Sequence, residues 1–454
     1  MKKYSIEALA KIVDGKIIQQ GEEEIIASLK IDSRKIENKD LYVPIIGERL
    51  NGHQFIENAI DNGACFVLTE EDVNLSKKIG VIKVESTVKA LQAIAKDCRE
   101  QQNLEVIAVT GSSGKTTTKD IIASVLSQKY KTMKTQGNLN NYLGIPLTLL
   151  QLDGSQNAAV VEMSMDHLGD IRENIHNVRP HFAVITNIGT AHLEFLKTRE
   201  NILKAKMEIF ETLQIDDYAI INGDDPYLQK ITDKPYQIVK IGIDSDNLDM
   251  KAEEVISSAE GINFKVNGES YHFNYPGKHN VYNSLAAIYI AKKMGLSHKE
   301  IQQGLLEFVP SGNRMKISTI NNTTYIDDSY NANPDAMLAA LNVLGDLGKG
   351  KRKIAILGDM LEMGESGRIA HLNIGENAAQ KIDILISVGE LGKFYAEGAT
   401  SNMAKENIFV TKDVDEALDV IKKIVQSDDV VLIKASNGIG LRKIVEVLQG
   451  ENHE

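Results

Sequence analysis

Residues 106–126 of the chain read VIAVTGSSGKTTTKDIIASVL, and this stretch decides the fold. Residues 106–109 form a short continuous apolar run that is typical of a buried strand. A glycine-rich turn follows, and over residues 119–126 the apolar side chains recur with helical spacing. The order strand, loop, helix is the repeating unit of an α/β fold.

The glycine-rich turn has the pattern of a phosphate-binding loop. Backbone N–H groups between a strand and a helix N-terminus can surround phosphate oxygens, and glycines allow close approach. Lys115 would reach the terminal phosphates and the Thr116 hydroxyl would ligate Mg²⁺. The usual pattern has a glycine where Val109 stands, so this is a shorter variant of the loop. A turn without a ligand is the alternative, but the coincidence of strand, loop, Gly-Lys-Thr and helix favours nucleotide binding. The predicted phosphate-binding residues are Gly111, Ser112, Ser113, Gly114, Lys115, Thr116 and Thr117.

Further apolar runs predict more strands. They alternate with helical patterns, and they lie at residues 158–161, 182–185, 218–221, 354–357, 382–388 and 430–433. This alternation favours mostly parallel sheets, and the pattern breaks near residues 310–313. With 454 residues and roughly 150 per domain, we expect three α/β domains. They are a small α/β domain (1–100), a central phosphate-loop ATPase domain with a mostly parallel sheet (101–312) and a Rossmann-like, doubly wound domain (313–454).

The composition narrows the classes of function. Lys and Arg number 51 and Asp and Glu number 63, and the net charge of -12 argues against a nucleic-acid binder, whose affinity rests on clustered positive charge. No apolar run approaches the about 18 residues of a membrane span, and no signal-peptide pattern is present, so we expect no membrane insertion. Two cysteines, Cys65 and Cys98, are too few for a disulfide framework and favour a reducing compartment. We expect a cytoplasmic monomer.

Two candidate metal ligands follow predicted strands. Glu162 comes directly after one strand, and His192 follows the next after a turn. Ligands of open α/β sheets collect at the carboxyl ends of strands, so both side chains can face phosphates that Lys115 holds. A carboxylate and an imidazole, together with phosphate oxygens, suit Mg²⁺ or Mn²⁺. On spacing alone a strand-end Glu or His is more often a hydrogen-bonded surface residue, and Lys204 and Lys206 are typical of solvated lysines on a helix.

A set of motifs extends the pattern beyond the phosphate loop. In chain order they are residues 111–117 (GSSGKTT), 162–164 (EMS), 185–194 (ITNIGTAHLE) and 277–280 (GKHN) with Asn283. Together these motifs resemble those of the Mur ligases, the ATP-dependent amide ligases of peptidoglycan precursor synthesis. The resemblance runs in order through the central and last predicted domains, and the set is far more specific than the phosphate loop alone.

Three further motifs are similar to those of the family members that add a D-alanyl dipeptide. They are residues 327–335 (DDSYNANPD), 357–360 (LGDM) and 136–141 (QGNLNN). Ligases that add earlier residues tend to carry a histidine-containing motif at positions 330–334. Residues 32–34 and 47–53 look like the uridine-nucleotide module of the family. The resemblance implies that D-alanyl-D-alanine is joined to UDP-N-acetylmuramoyl-tripeptide through an acyl phosphate, with the UDP-linked pentapeptide, ADP and phosphate as products.

The resemblance also implies roles for single residues. It implies that Lys115 and Thr116 hold ATP and Mg²⁺, that Glu162 and His192 are metal ligands, and that Lys206 is the lysine that these ligases carbamylate to hold a second Mg²⁺. The remaining nucleotide contacts would be Asn280, Asn283, Arg314 and Asp328, with Arg314 a catalytic residue beside Lys115, Glu162, His192 and Lys206. The substrate residues would be Ser33, Arg34, Asn138, Asn140, Asn141, Tyr330, Asn331 and Asn333.

One position departs from the family pattern. Residues 434–438 read KASNG where the family commonly has KGSRG, so Asn437 replaces an arginine suited to pairing with a substrate carboxylate.

Three alternatives stay open on the sequence. Another ligase of the superfamily, adding a different amino acid or acting as a folylpolyglutamate synthase, would share the ATP site. A phosphate-loop kinase would need an acceptor hydroxyl and would release no free phosphate. A regulatory protein would bind nucleotide without turnover. The third residue of the tripeptide, lysine or diaminopimelate, is equally open.

Overall fold

The computed structural model describes residues 3–73, 75, 78–258, 260–312 and 314–450. Asn313, in the predicted boundary region, lies outside the described residues, as do both ends of the chain. Three α/β segments follow one another, each built around its own main sheet. The predicted three-domain α/β fold class is confirmed. The limits predicted for the three domains stay a prediction.

The first segment is a small mixed sheet with helices. Its strands are β1 (Tyr4–Ser5), β2 (Lys16–Gln19), β3 (Ile25–Ile26), β4 (Leu29–Lys30), β5 (Leu41–Tyr42), β6 (Phe66–Thr69) and β7 (Gly80–Lys83), and its helices are α1 (Ile6–Ile12), α2 (Ile56–Asp61) and α3 (Thr87–Glu100). The main sheet has the order β2-β7-β6-β5-β4 and is parallel except for β2. Leu91, Ile94 and Cys98 of α3 are fully buried in a hydrophobic core that continues into the next segment.

The second segment is a long, mostly parallel sheet. Its strands are β8 (Glu105–Thr110), β9 (Thr132–Lys134), β10 (Ala158–Glu162), β11 (Phe182–Ile185), β12 (Tyr218–Asn222), β13 (Gln237–Gly242), β14 (Met250–Ser258), β15 (Gly261–Val266) and β16 (Glu269–Phe273). Its helices are α4 (Lys115–Leu126), α5 (Gly144–Leu149), α6 (Asp170–Val178), α7 (Leu193–Leu196), α8 (Arg199–Met207), α9 (His279–Lys293) and α10 (His298–Leu306). The order is β16-β15-β14-β13-β12-β11-β8-β10-β9, and the pairs are parallel from β9 to β14. Because β8 lies between β10 and β11, the carboxyl ends of these three strands meet at one edge.

The third segment is doubly wound. Its strands are β17 (Lys316–Ile320), β18 (Thr323–Asp328), β19 (Lys353–Gly358), β20 (Ile384–Val388), β21 (Ile408–Thr411) and β22 (Val430–Lys434), and its helices are α11 (Pro334–Leu347), α12 (Gly367–Ala379), α13 (Gly392–Ala399), α14 (Val414–Ile424) and α15 (Arg442–Leu448). The order is β17-β18-β22-β19-β20-β21, and only the pairing of β17 with β18 is antiparallel in this described sheet. One face of this sheet is covered by α11, α12 and α13, and the other face is covered by α14 and α15. Each face has its own apolar core.

Two helices begin at other residues than their patterns predict. Helix α4 begins at Lys115, four residues before the predicted start, because Gly114 at φ 78° turns the chain directly into the helix. Helix α15 begins at Arg442 instead of residue 439, because a 3₁₀ turn at Asn437–Ile439 and Gly440 at φ 76° come before it. Within the described ranges, no helix is both long enough and apolar enough to cross a bilayer.

Candidate functional site

The phosphate loop is held in shape by the residues that follow β11. The backbone N–H groups of Ser112 and Ser113 donate to Asn187, at 3.1 Å to its carbonyl oxygen and 3.0 Å to Oδ1. Thr186 Oγ1 donates to the Ser113 carbonyl at 2.6 Å. A Cβ at Gly111 would collide with that same hydroxyl, so only glycine fits the position. The loop is thus fixed by contacts between two strand ends.

Lys115 folds back over the loop. Its Nζ donates to the Gly111 carbonyl at 2.8 Å, in the space that a phosphate group of a bound nucleotide would approach. Burial lowers the pKa of the Lys115 ammonium, the Glu162 carboxylate opposes that shift, and Arg314 adds to it. These two charges come from β10 and from the third segment, so both segments act on the loop lysine.

Two of the buried oxygens that have no hydrogen-bond partner among the described residues belong to predicted metal ligands. They are Thr116 Oγ1 and Glu162 Oε2, and their residues are 3% and 1% exposed. The other carboxylate oxygen of Glu162 accepts from Asn140 Nδ2 at 2.8 Å. Buried polar atoms are normally satisfied, so these two oxygens, one in the first turn of α4 and one at the end of β10, indicate a place for a bound cation. Glu162 Oε2 also lies 3.6 Å from the Lys119 ammonium.

His192 lies at the same edge in a left-handed backbone conformation, with φ 64°. Its Nδ1 is 3.1 Å from Asp166 Oδ1 and 3.8 Å from Glu362 Oε2, ion-pair distances at which it is not aligned as a hydrogen bond. The adjacent imidazole lowers the pKa of the Asp166 carboxyl. Glu362 belongs to the third segment, so His192 lies where two segments meet.

Lys206 and Lys204 have opposite environments because side chains two residues apart point to different sides of helix α8. Lys204 is exposed, as expected of a lysine on a helix, whereas Lys206 is 1% exposed. Burial lowers the pKa of Lys206 well below its usual value, and the Lys115 ammonium adds to that shift. Lys206 Nζ has no hydrogen-bond or ion-pair partner in the described part of the chain. The interpretation of Lys206 as a solvated lysine is therefore wrong, and its amine is available for chemistry or ligation.

The described residues hold no group of three or more His, Cys, Asp and Glu side chains able to bind a metal by themselves. Mg²⁺ does not require such a cluster, because it keeps several waters and takes one or two carboxylates together with substrate phosphates. In such a site the protein would supply only part of the ligands, and the predicted protein ligands are Thr116, Glu162 and His192.

The third segment brings a cation and a helix N-terminus to the loop. Ser113 Oγ donates to Asn333 Oδ1 at 3.4 Å, and Asn333 also caps α11 by accepting from Ala336 N at 2.9 Å. The Arg314 guanidinium lies 4.2 Å from the centre of the Tyr330 ring. The described contacts therefore place Asn333 on the loop and stack Arg314 on Tyr330.

Asp328 and Asn331 are engaged with a lysine of β22. Lys434 Nζ donates to Asp328 Oδ2 at 2.5 Å and to the Asn331 carbonyl at 2.9 Å, and Lys434 is 2% exposed. Asn437, three residues further, is exposed and opens the short 3₁₀ turn. This cluster orders the turn after β18 and fixes the entry to α11.

Asn280 and Asn283 lie beneath the loop and are buried. Asn283 Oδ1 accepts from Thr118 Oγ1 at 3.0 Å, which joins α9 to α4 directly behind Gly114. Asn280 Nδ2 donates to the Pro276 carbonyl at 2.9 Å. These bonds give both asparagines a packing role, and their predicted contact with the adenine side stays a prediction.

The other predicted substrate residues divide into two places. Asn140 lies beside Glu162, whereas Asn138 is exposed and Asn141 Oδ1 caps the start of α5 by accepting from Gly144 N at 2.9 Å. In the first segment, the exposed Arg34 pairs with Asp32 at 2.9 Å, and the Ser33 carbonyl accepts from Asn62 Nδ2 at 2.9 Å. The described hydrogen bonds thus bring Asn140 to the phosphate edge and leave the other four elsewhere.

Several residues of the site were not predicted from the sequence. Thr186 and Asn187 lay inside a quoted motif but received no role, and Lys119 follows Lys115 by one helical turn, a spacing that could have drawn attention to it. Asp166 and Glu362 carry no local signal, because only the packed fold brings them to His192.

Comparisons with known proteins show which family the sequence is similar to. The sequence model described as "Mur ligase middle domain" matches residues 109–291, that of the "Mur ligase, glutamate ligase domain" matches 313–437, and that of the "Mur ligase family, catalytic domain" matches 25–112. The UDP-N-acetylmuramoyl-tripeptide–D-alanyl-D-alanine ligase of Bacillus subtilis (strain 168) is 37% identical over 454 residues, which is 99% of each chain.

Two solved structures have the same architecture over nearly the whole chain. A crystal structure of MurF from Acinetobacter baumannii superposes with a TM-score of 0.91 at 30% identity, covering 99% of both chains. That of MurF ligase from Thermotoga maritima in complex with ADP gives a TM-score of 0.82 at 27% identity, covering 93% of this chain and 97% of the other. The resemblance read from the motifs is confirmed, and the chain belongs to the Mur ligase family.

Proposed function

We propose that this chain is an ATP-dependent amide ligase that joins D-alanyl-D-alanine to UDP-N-acetylmuramoyl-tripeptide and yields the UDP-linked pentapeptide, ADP and phosphate. One observation carries the proposal. At a phosphate loop, buried oxygens of Thr116 and Glu162 lack a hydrogen-bond partner among the described residues. The third segment touches the same loop through Asn333, and the charge of its Arg314 acts on Lys115. The high identity to the Bacillus subtilis ligase of that name supports this choice of substrates.

The residues that would hold Mg²⁺ are Thr116, Glu162 and His192. The buried Thr116 and Glu162 oxygens, which lack a hydrogen-bond partner among the described residues, fit a hard cation. When bound, Mg²⁺ neutralises the charge that develops on the transferring phosphoryl group. Lys206 would serve a second ion once its amine is carbamylated. A lowered pKa supports this step, because only a neutral amine attacks CO₂ and the product carries a carboxylate in place of an ammonium.

The chemistry required is activation of a carboxylate, whose leaving group would otherwise be oxide. The terminal carboxylate of the tripeptide attacks the γ-phosphorus of ATP, ADP leaves, and an acyl phosphate forms. The free amine of the dipeptide then attacks the carbonyl carbon, phosphate leaves, and the amide forms. In-line transfer between anions needs cationic groups, which Lys115 and Arg314 supply from two sides.

The contact between the domains protects the reactive intermediate. The Ser113–Asn333 hydrogen bond and the bond from Thr190 N to Asp335 Oδ2 at 3.2 Å close the third domain over the loop. Closure excludes water, which would otherwise hydrolyse the acyl phosphate before the amine arrives.

The three domains would divide the substrates between them. Residues 1–100, with Ser33 and Arg34, would bind the UDP group, and residues 101–312 would bind ATP through the loop, Asn280 and Asn283. Asn138, Asn140 and Asn141 would contact the sugar–peptide part. Residues 313–454 would bind the dipeptide beside Tyr330, Asn331 and Asn333, with Asp328 and Arg314 turned to the nucleotide.

Phosphate release tests the proposal against its alternatives. ATP and Mg²⁺ are supplied with the UDP-linked tripeptide and D-alanyl-D-alanine, and each component is omitted in turn. We expect release only in the complete mixture, with a UDP-linked pentapeptide by mass spectrometry. Release with a different amino acid would indicate another ligase of the family, and a phosphorylated acceptor without free phosphate would indicate a kinase. Nucleotide binding without turnover in any mixture would indicate a regulatory protein.

A further inference from the structure

Lys119 is a fully buried lysine to which the reaction assigns no role. It lies one helical turn after Lys115 on α4, and its side chain is 1% exposed. Its Nζ donates to the Thr135 carbonyl at 3.0 Å and lies 3.4 Å from Asp120 Oδ1 and 3.6 Å from Glu162 Oε2. Burial of a charged lysine is costly unless the charge is paired, so its position at the metal-side carboxylate needs a reason.

The contacts of Lys119 form a closed circuit of three residues, Lys119, Thr135 and Glu162, to which Asn140 is attached through the Glu162 carboxylate. Thr135 Oγ1 accepts from Glu162 N at 3.0 Å, and Glu162 Oε1 accepts from Asn140 Nδ2 at 2.8 Å. Thr135 and Asn140 are the two ends of the loop that holds residues 136–139. Both ends of this loop are therefore tied to Glu162, Thr135 through the Glu162 backbone N–H and Asn140 through the carboxylate. Lys119 links the Thr135 carbonyl to the other carboxylate oxygen of Glu162.

A second lysine allows the role of Lys119 to be isolated. Lys134 Nζ donates to Asp120 Oδ1 at 2.7 Å, and its side chain is 30% exposed. Asp120 thus has a cation of its own, whereas Lys119 is the lysine that reaches Glu162 and the Thr135 carbonyl. Both lysines contact Asp120, but only Lys119 belongs to the circuit.

We infer that Lys119 is a positioning residue that fixes the loop at residues 136–141 and the Glu162 carboxylate relative to the phosphate loop. Through this circuit, helix α4, which would bind ATP at its first turn, fixes the position of the loop that would bind the UDP-linked substrate. The position of that loop determines where the carboxylate of the substrate lies. The inference rests on the proposed function, because that function makes the loop a substrate-binding element. Lys119 acts through Thr135 and Glu162 and touches no reacting atom.

The test compares Lys119→Met with the matched control Lys134→Met. Calorimetry measures binding of UDP-N-acetylmuramoyl-tripeptide without ATP or Mg²⁺, and binding of ADP in a separate titration. For Lys119→Met we expect about 10-fold weaker binding of the UDP-linked substrate, the effect of losing a charge-assisted hydrogen bond, with ADP affinity within about 2-fold. For Lys134→Met we expect both affinities within about 2-fold of the wild type.

Thr135→Val provides a second variant in case Lys119→Met fails to fold, which thermal unfolding detects. It removes only the hydroxyl that holds Glu162 N, and we expect about 3-fold to 10-fold weaker binding of the UDP-linked substrate. The inference is overturned if a folded Lys119→Met protein, or Thr135→Val in its place, binds this substrate as the wild type does, or if Lys134→Met loses as much affinity. A wild-type protein that neither binds the UDP-linked substrate nor releases phosphate would refute the proposed function itself, which is a different result.

Discussion

The two halves of the site differ in how their polar groups are satisfied. On the central domain, Thr116 and Glu162 have buried oxygens without hydrogen-bond partners, and Lys206 is a buried amine without an ion pair among the described residues. On the last domain, Lys434 is paired with Asp328 and Arg314 is stacked on Tyr330. Unsatisfied buried groups cost stability and persist where a ligand will satisfy them. The buried polar groups of the central domain are therefore available to bind charged ligands. Those of the last domain stabilise the turn after β18 and contact the central domain.

The largest effect should come from the central half. Lys115→Ala removes the ammonium nearest the terminal phosphates, and we expect phosphate release to fall about 10,000-fold. Binding of the UDP-linked tripeptide, measured by calorimetry without nucleotide, should stay within about 2-fold. Turnover near the wild-type rate would refute the assignment of the phosphate loop.

Lys206→Met should lower turnover by about 100-fold to 1,000-fold and also stabilise the protein. In CO₂-free buffer burial lowers the pKa of the Lys206 ammonium in the folded state, while the unfolded chain keeps the ordinary pKa of a lysine. The unfolded state then binds more protons, so the burial of Lys206 costs stability, and this cost disappears as the pH rises to the unfolded value of about 10.4. The melting temperature of the variant should exceed that of the wild type at pH 7, with a smaller difference at pH 9.5.

Lys204→Met is the control for this prediction, because its side chain is exposed on the same helix. We expect its turnover and melting temperature to match those of the wild type. Equal turnover and equal melting temperatures of the two lysine variants would contradict the special role given to the buried amine of Lys206.

A smaller effect should follow from the last domain. Arg314→Ala removes a cation from the second side of the phosphates, and we expect kcat to fall about 100-fold while the affinity for ADP changes much less. Lys316→Ala, an exposed cation two residues further, should leave kcat within about 2-fold. Equal losses in the two variants would indicate a general effect of surface charge instead of a contact with the nucleotide.

The smallest effect concerns the position that departs from the family pattern. Asn437→Arg restores a guanidinium at an exposed turn, and we expect the KM for D-alanyl-D-alanine to fall about 2-fold to 5-fold, a modest gain because solvent screens the charge. The KM for ATP should not change. A rise in the KM for the dipeptide would show that this turn lies outside its binding site.

The sequence predicts features that depend on neighbouring residues better than features that depend on contacts between distant parts of the chain. The phosphate loop and its flanking strand and helix were predictable, because Gly111 to Thr117 carry their own geometry. The burial of Lys206 was missed because its residue type is usually solvated, although its spacing indicates burial: it lies four residues after Ile202 on the same side of α8, and Lys204 lies on the other side. Asp166 and Glu362 reach His192 from different segments, so no spacing in the sequence indicates them. The start of α4 was placed too late, because the threonines of the first turn are not apolar and hide the helical pattern.

The central claim is that the tripeptide carboxylate is activated by phosphoryl transfer in a site shared by two domains. It is tested most directly with UDP-N-acetylmuramoyl-tripeptide carrying ¹⁸O in its terminal carboxylate. The released phosphate is examined by mass spectrometry after turnover with ATP, Mg²⁺ and D-alanyl-D-alanine. An acyl phosphate transfers one carboxylate oxygen to phosphate, so we predict one ¹⁸O atom in each phosphate released. Phosphate free of ¹⁸O, formed together with the pentapeptide, would contradict this route and the roles given to Lys115 and Arg314.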